Sequence, residues 1–259
     1  MSDDRPVRSP RTPLIRGVDP GKTLAALRLR KLNYDRAEVR RPEWNFDLHR
    51  TDVAAEPPGP PMPGGPWEIA RELVRDYEFT PPGLVHAAYS RSAPLLGRDM
   101  LLEGRFAVLR FLMGVRITSL VDEVDDTQHS WGWGYETLQG HLERGEVVYR
   151  VIKHRDSGRV EFTATVHSQA DPTLGPVYKA GWALFGRRNQ LKFYRMIGQR
   201  LRTLIAGRLT GESTDIAVAP PAKPTEHSDL VWVPSSARPH AMDRFALHVC
   251  DPAWRRLGC

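Results

Sequence analysis

The chain contains 259 residues with a net charge of +6, and 41% of the residues are apolar. That length allows one large domain or two small ones, but proline and charge collect at both ends and around residues 56–66, so we expect one folded domain with loose flanks. The N-terminal residues lack an apolar signal region, the apolar run 106–115 is too short to cross a bilayer, and Cys250 and Cys259 encode neither a disulfide framework nor a thiolate metal site. We therefore expect a soluble, cytoplasmic protein without membrane insertion or a cofactor, and the oligomeric state stays open.

The N-terminal third is predicted to contain two helices separated by a proline-rich loop. Residues 1–18 are polar and rich in Pro and Arg, which is typical of a disordered arm. The pair Asp19-Pro20 is a helix-start pattern, and this first helix should run to about Leu32. The proline-rich loop 54–66 leads into a second helix, which the Thr-Pro-Pro-Gly segment 80–83 should end.

The middle of the chain has the alternation of apolar and polar residues that is typical of strands. The predicted strands are 85–89, one bent strand or two across 99–113, then 115–125, 130–138, 145–154 and 160–167. In the last of these strands we expect one polar face that is exposed to water, made by Glu161, Thr163, Thr165 and His167.

The longest helical pattern covers residues 176–206, where apolar side chains recur at steps of three or four. The tail 210–259 is rich in Pro, Ser and charge, so we expect it to be largely disordered, with isolated apolar islands such as 230–234. Consecutive antiparallel strands followed by one long helix predict an α+β fold. In that fold a curved antiparallel sheet grips the long C-terminal helix within one domain, residues 19–209, and a cavity lies between sheet and helix.

The segment 131–138 is the predicted strand with the strongest chemical character. Trp131, Trp133 and Tyr135 should share one face, with Gly132 and Gly134 on the other. We favour the interpretation that the aromatic residues and glycines fit a curved sheet around a core. The alternative is that a helix or a ligand lies against the sheet at the glycines. The side chains expected to contact such a ligand are Trp131, Trp133, Tyr135, Thr137, His141, Trp182, Phe185 and Asn189.

The pattern Tyr135-x-Thr-Leu-x-Gly-His141-x-x-x-Gly145 resembles the signature of a family of bacterial and plant proteins of unknown function. The segments 79–83, 97–101 and 184–194 resemble the same family, and the resemblance covers roughly residues 25–206. It implies a fold similar to the START-like, helix-grip superfamily, which includes plant allergen-type ligand carriers and polyketide cyclases. It implies no activity, because a fold does not fix a function.

His141 lies in a polar turn beside Glu143 and Glu146, and these three are the candidate catalytic residues. A histidine next to a carboxylate is suited to act as a general base. We favour the alternative that His141 stabilises a tight loop through hydrogen bonds to the backbone, because no nucleophile or second base is paired with it. No metal site is predicted, since His129, His141, His154 and His167 lie on different strands or turns and none of these four lies at ligand spacing from another histidine or cysteine.

Three functions remain open at this point. The first is binding of a small lipophilic or aromatic molecule between sheet and helix, and the second is an acid–base enzyme of cyclase, isomerase or hydrolase type in the same pocket. The third uses the basic stretch 172–211, which contains no Asp or Glu, to contact nucleic acid or an anionic membrane. We rank the third last and expect no nucleic-acid partner, because the chain has no recognised nucleic-acid motif and such a stretch is commonly a solvated helix face.

Overall fold

One sheet of nine strands dominates this computed structural model, which describes residues 19–106, 109–172, 186–211, 229–236 and 247–249. The strand order is β1-β7-β6-β5-β4-β3-β2-β8 with every neighbour antiparallel, and β9 pairs with β4 in parallel. The strands are β1 Asn45–Ala55, β2 Val85–Ser90, β3 Asp99–Phe106, β4 Leu109–Val124, β5 Gln128–Thr137, β6 Glu143–His154, β7 Arg159–Ala170, β8 Leu230–Val233 and β9 Leu247–Val249.

Three α-helices and one short 3-10 helix accompany the sheet: α1 Pro20–Leu27, the 3-10 helix Arg36–Glu38, α2 Pro66–Arg75 and α3 Arg187–Thr210. The longest, α3, lies against β1 and α2 and also contacts β7. Helix α3 and strand β1 approach closely where Gly198 meets Thr51. The predicted fold class is therefore confirmed: an α+β fold with a curved antiparallel sheet and a long C-terminal helix.

The face of the sheet towards α3, which we call the inner face, carries the core. In β6 the inner-face residues Val147, Tyr149 and Val151 are buried, and residues between them are partly exposed, as the period of a strand requires. The core side chains of α3 join the same cluster, namely Phe193, Tyr194, Ile197, Leu201, Leu204 and Ile205.

Strand β1 is the element that the sequence analysis missed. Its inner-face residues Asp47, His49 and Thr51 are polar and only Val53 is fully buried, so the strand lacks the apolar alternation that identifies a strand. The predicted loop 54–66 consequently starts too early by two residues, because β1 continues to Ala55.

Other boundaries also differ from the predictions. The first helix ends at Leu27 instead of Leu32, and β4 runs without interruption from Leu109 to Val124 instead of breaking near Gly114. The apolar island 230–234 is not isolated, because Leu230–Val233 forms the strand β8 beside β2. The predicted start of the long helix at residue 176 lies outside the described residues, within which α3 begins at Arg187.

Candidate functional site

Tyr77 occupies the backbone position at which helices prefer glycine. The Tyr77 N–H donates to the Val74 carbonyl at 3.2 Å and the Glu78 N–H donates to the Leu73 carbonyl at 2.9 Å, which is the Schellman ending of α2. Tyr77 adopts φ 61°, and a left-handed conformation costs a residue with a Cβ roughly 1–2 kcal/mol. Strain of this kind is retained more often at functional sites than elsewhere.

The Tyr77 side chain enters the core beside Tyr149 and Tyr135. Neither the Tyr77 nor the Tyr149 hydroxyl forms a hydrogen bond of normal length and angle within the described residues, although the hydroxyls of Tyr77, Tyr135 and Tyr149 are close enough to shift one another's pKa by hydrogen bonding. The two side chains are 1% and 0% exposed respectively. A buried polar group without a partner costs about 1–3 kcal/mol. Burial raises the pKa of both phenols well above the usual value, so both are uncharged. Tyr77 therefore combines a strained backbone with an unpaired hydroxyl.

Neighbouring aromatic side chains satisfy their polar atoms. The Trp133 Nε1–H donates to the Val74 carbonyl at 3.1 Å, and the Trp67 Nε1–H donates to the Val151 carbonyl at 3.3 Å. The Tyr89 hydroxyl donates to the Asp76 carbonyl at 3.2 Å. Unpaired buried atoms also occur elsewhere among the described residues, for example Ser130 Oγ and Trp232 Nε1, but Tyr77 is the one that combines such an atom with a strained backbone.

A second group of polar side chains gathers where the start of α3 meets β1 and β6. Arg187 donates to both carboxylate oxygens of Asp47 at 2.7 and 2.6 Å, and to Gln190 Oε1 at 2.6 Å. The amide nitrogen of Gln190 in turn donates to Ser168 Oγ at 3.0 Å and lies 3.4 Å from Glu143 Oε2. We call these residues, together with His49, the polar cluster.

Glu143 and His49 each bring one unpaired buried atom to the polar cluster, Glu143 Oε1 and His49 Nε2. Burial raises the pKa of Glu143 to about 8, the Arg187 guanidinium opposes this shift and Asp47 adds to it. The His49 ring stacks on Tyr194 with centroids 4.7 Å apart, and burial lowers its pKa. At neutral pH both side chains are therefore uncharged and free to form one more hydrogen bond.

Tyr135 and Tyr194 connect the two groups. Tyr135 interacts electrostatically with Tyr77, Tyr149 and Glu143, and burial raises its pKa to about 12. Tyr194 interacts with Tyr135 and with Glu143. The tyrosines and the polar cluster consequently line one continuous part of the inner face, and Tyr135 and Glu143 keep part of their surface accessible.

The three candidate catalytic residues do not converge. His141 is buried in the turn, where its Nδ1 accepts a hydrogen bond from the Glu143 N–H at 2.9 Å. Burial lowers the pKa of His141 to about 4, with the backbone of Glu143 and the charge of Asp171 opposing the shift. Glu146 projects from the opposite face of the sheet, 3.7 Å from His167 Nδ1. Of the three, Glu143 alone belongs to the polar cluster.

The signature around His141 has a structural explanation. Thr137 Oγ1 accepts from the Gly145 N–H at 2.9 Å and donates to Asn33 Oδ1 at 2.6 Å, which ties the β5–β6 connection to residue 33. Gly140 and Gly145 have φ 89° and 150°, and a Cβ on Gly145 would collide with the His167 backbone.

The predicted ligand-contacting residues have different locations. Trp133 is fully buried in the core, whereas Trp131 and Tyr135 are half-buried and pack against it. Asn189 is half-buried in the first turn of α3, and the contacts to the polar cluster come from the neighbouring Gln190. Trp182 and Phe185 lie outside the described residues.

A groove of about 310 Å³ lies elsewhere, between α3 and the turn that follows α2. It is lined by Pro81, Pro82, Met196, Gln199, Arg200, Thr203 and Leu204. The predicted cavity was expected between the sheet and the helix, so this groove does not correspond to it.

The outer face of the sheet holds a second set of polar contacts. The Tyr34 hydroxyl donates to Glu136 Oε1 at 2.7 Å and lies 3.4 Å from His167 Nε2. Arg36 forms an ion pair with Glu136, which is buried. The polar face that we predicted to be exposed to water is instead largely covered. Glu161 and Thr163 are buried, His167 lies under Tyr34 and Trp44, and Thr165 alone of the four is exposed.

Much of the basic stretch stabilises the fold. Besides Arg187, Arg202 donates to the Asp52 carbonyl, Arg200 donates to the Glu78 carbonyl at 3.2 Å, and Arg208 pairs with Glu72 at 3.0 Å. Within the part of the chain that the structure describes, no three His, Cys, Asp or Glu side chains are arranged to hold a metal ion. No described helix is long and apolar enough to cross a membrane.

Sequence reasoning missed Tyr77, Tyr149, Asp47, His49 and Gln190. Asp47 and His49 lie on the strand that was not predicted, and Tyr149 occupies a predicted strand without any motif around it. For Tyr77 the available signal is the end of helix α2 at Arg75. The position two residues later, where a helix ending favours glycine, is occupied by Tyr77.

Comparison with known proteins adds a family. The profile of a domain of unknown function, DUF1990, matches residues 33–200. The chain belongs to this family. Signature residues 135–145 and most of the inner-face residues described above fall inside the DUF1990 domain, as do Tyr77, Tyr149 and the polar cluster. No curated protein matches the chain.

Several solved structures resemble the DUF1990 protein at low sequence identity. The crystal structure of Ara h 8.0201 is 9% identical with a TM-score of 0.39, covering 63% of this chain and 99% of that chain. The crystal structure of TTHA0849 from Thermus thermophilus is 8% identical with a TM-score of 0.39, covering 66% and 99%. Hypothetical protein jhp0584 from Helicobacter pylori is 14% identical with a TM-score of 0.37, covering 68% and 95%. These likenesses are too distant to bear on ligand or activity.

Proposed function

We propose that this domain binds a small, mainly apolar molecule on the inner face of the sheet beside α3. The observation that carries the proposal is Tyr77, which keeps a strained backbone and a buried hydroxyl without a well-formed hydrogen bond among the described residues, as does the neighbouring hydroxyl of Tyr149. Both features cost stability, and a ligand that hydrogen-bonds these hydroxyls offsets that cost when it is bound. The START-like relationship suggested by the sequence, and a cytoplasmic location, are part of the same proposal.

The surroundings of the hydroxyls are suited to an apolar molecule with few polar groups. Trp133, Phe79 and Phe162 provide aromatic surface around them, with Phe79 4.9 Å and Trp133 5.5 Å from Tyr149 between ring centroids. Small-molecule sites commonly combine such surface with a few polar groups that set orientation. The partly accessible Tyr135 and Glu143 mark the side from which a ligand would enter.

The experiment is native mass spectrometry of the full chain purified from its own cells. We expect a bound small molecule on the wild-type protein, and a lower bound fraction on the double variant Tyr77→Phe/Tyr149→Phe. The matched control is Tyr89→Phe, which removes a hydroxyl that is already paired with Asp76 and should keep the wild-type bound fraction. A wild-type protein that carries no small molecule, or a double variant that carries as much as the wild type, contradicts the proposal.

An acid–base enzyme in the same place is the second candidate, and Glu143 favours it. Its raised pKa of about 8 and its unpaired Oε1 are properties of a carboxyl group that can donate and take up a proton near neutral pH. Turnover of the co-purified molecule by the wild type, and its loss in Glu143→Gln, would support this candidate over simple binding. A molecule recovered chemically unchanged after prolonged incubation with the wild-type protein contradicts it.

A further inference from the structure

We propose that the polar cluster, Asp47, His49, Glu143, Ser168, Arg187 and Gln190, binds an uncharged group that both donates and accepts hydrogen bonds, such as a carboxamide or a hydroxyl. The inference rests on the proposed function and adds that the polar end of the ligand lies in the polar cluster. It follows from three observations: the charge balance of the cluster, its unpaired atoms, and the contacts that hold its members in place.

The charges of the described cluster cancel. Arg187 donates to both oxygens of Asp47, so the positive charge of the guanidinium is balanced by this carboxylate. Glu143, His49 and the phenols of Tyr135 and Tyr194 are uncharged at neutral pH. A ligand carboxylate buried here would meet no unpaired counter-charge among these residues. A ligand ammonium would meet one only after Glu143 loses its proton, so burial of either charge is costly.

Two atoms of the cluster have no hydrogen-bond partner among the described residues. Glu143 Oε1 and His49 Nε2 are buried and unpaired, while Glu143 Oε2 is 3.4 Å from Gln190. Both side chains interact electrostatically with the Asp47–Arg187 pair, so they belong to one site. A protonated carboxyl and a neutral imidazole together present a donor and an acceptor, and an amide or a hydroxyl complements both.

Several members of the cluster are held in place by their neighbours. Gln190 bridges Arg187 and Ser168, and the His49 ring is stacked on Tyr194 with an interplanar angle of 15°. When a ligand group with the wrong donors or acceptors binds to such a cluster, hydrogen bonds are lost and the affinity falls. Charge and hydrogen-bond pattern thus select the same class of ligand group.

The test uses isothermal titration calorimetry of the full chain with octanamide, octanoate and octylamine, which share one alkyl chain and differ in the head group. Near pH 7 we expect octanamide to bind at least about tenfold more tightly than either charged probe. Equal or tighter binding of octanoate or octylamine overturns the inference and leaves the proposed function standing. If none of the three probes binds, the proposed function fails and the inference with it.

A pH series tests the assignment of Glu143. The titratable groups that face it are Asp47 on β1, Tyr135 on β5, and Arg187 and Tyr194 on α3, with His141 in contact with its backbone. Since its pKa is about 8, one pH unit above that value leaves roughly a tenth of it protonated, so wild-type affinity for octanamide should fall about tenfold. In Glu143→Gln that fall should disappear, whereas Glu123→Gln, an exposed glutamate paired with Arg150, should keep it. A fall of wild-type size in Glu143→Gln overturns the assignment.

Discussion

The rings of Tyr77 and Tyr149 meet in the core with their centroids 6.3 Å apart, and each brings a hydroxyl that forms no hydrogen bond of normal geometry with the described residues. Tyr77 reaches this position from the end of α2 and Tyr149 from the middle of the central strand β6. Two costly polar groups thus lie at the point where the helix, the sheet and the aromatic core join. This relationship leads to the first prediction.

Removing either hydroxyl should stabilise the free protein. Tyr77→Phe and Tyr149→Phe each delete an unpaired buried polar atom and retain the ring, so we expect the free energy of unfolding in urea to rise by about 1–2 kcal/mol. Tyr89→Phe deletes a hydroxyl that donates to Asp76 and should lower the same quantity by about 1 kcal/mol. If the two core variants lose as much stability as Tyr89→Phe, the hydroxyls are not unpaired in solution.

The contact between Gly198 and Thr51 should tolerate no added methyl group. A Cβ on Gly198 would collide with Thr51 Oγ1 and lie 2.7 Å from Thr51 Cβ. Although alanine favours helix formation, we expect Gly198→Ala to lower the free energy of unfolding by about 1–3 kcal/mol through overpacking. The double variant Thr51→Gly/Gly198→Ala should lose less stability than the sum of the losses in the two single variants, because glycine at position 51 removes the side chain that clashes. Purely additive effects in this cycle would mean that the helix does not pack here.

The buried pair Lys153–Glu56 should hold the proline-rich loop on the sheet. Its atoms are 2.6 Å apart, the two side chains are 0% and 1% exposed, and Lys153 also donates to the Pro57 carbonyl at 2.8 Å. Lys153→Met leaves a buried carboxylate without its cation, which should cost about 3–5 kcal/mol in urea unfolding, and adding Glu56→Gln should recover part of this. Arg150→Met, which breaks an exposed pair with Glu123, should cost less than about 1 kcal/mol. Similar losses in the two single variants would contradict a buried pair.

His141 should make the protein less stable in acid. Its pKa is about 4 in the folded protein and near 6.5 when unfolded, so the unfolded state binds the proton first. The stabilising contribution is present above pH 6.5 and is lost as the pH falls towards about 4. Urea unfolding at several pH values should show this loss in the wild type and a smaller one in His141→Asn.

The asparagine variant is informative because its side-chain oxygen can accept the hydrogen bond from the Glu143 N–H that Nδ1 accepts now. We therefore expect His141→Ala to lose about 1 kcal/mol more than His141→Asn at neutral pH. A wild-type acid profile in His141→Asn would show that another group titrates there.

Periodicity in the sequence was sufficient for most of the fold. The strands β2, β5, β6 and β7 and the helix α2 could be predicted, because their inner-face residues are apolar at the period of the element. Strand β1 could not, since it presents Asp47, His49 and Thr51 to α3, and β8 could not, since a four-residue strand has too few alternations to identify.

The candidate site depended on contacts that no local pattern encodes. Glu143 was predicted as a candidate residue because it lies beside His141 in the sequence. Its electrostatic surroundings come from Asp47, which is distant in sequence, and from Arg187 in α3. The interpretation of His141 as a loop-stabilising residue needed only its local surroundings, and its hydrogen bond with the Glu143 N–H is of that local kind.

The sequence by itself determined the fold class, most of the strands and the final helix, because burial of apolar side chains at periods of two and 3.6 residues is a local property of the chain. Only the tertiary structure decided which polar groups remain without partners, because a hydrogen bond between side chains depends on where distant segments meet. Tyr77 and Tyr149 are separated by many residues, and only the packing of α2 on β6 places their hydroxyls in one core.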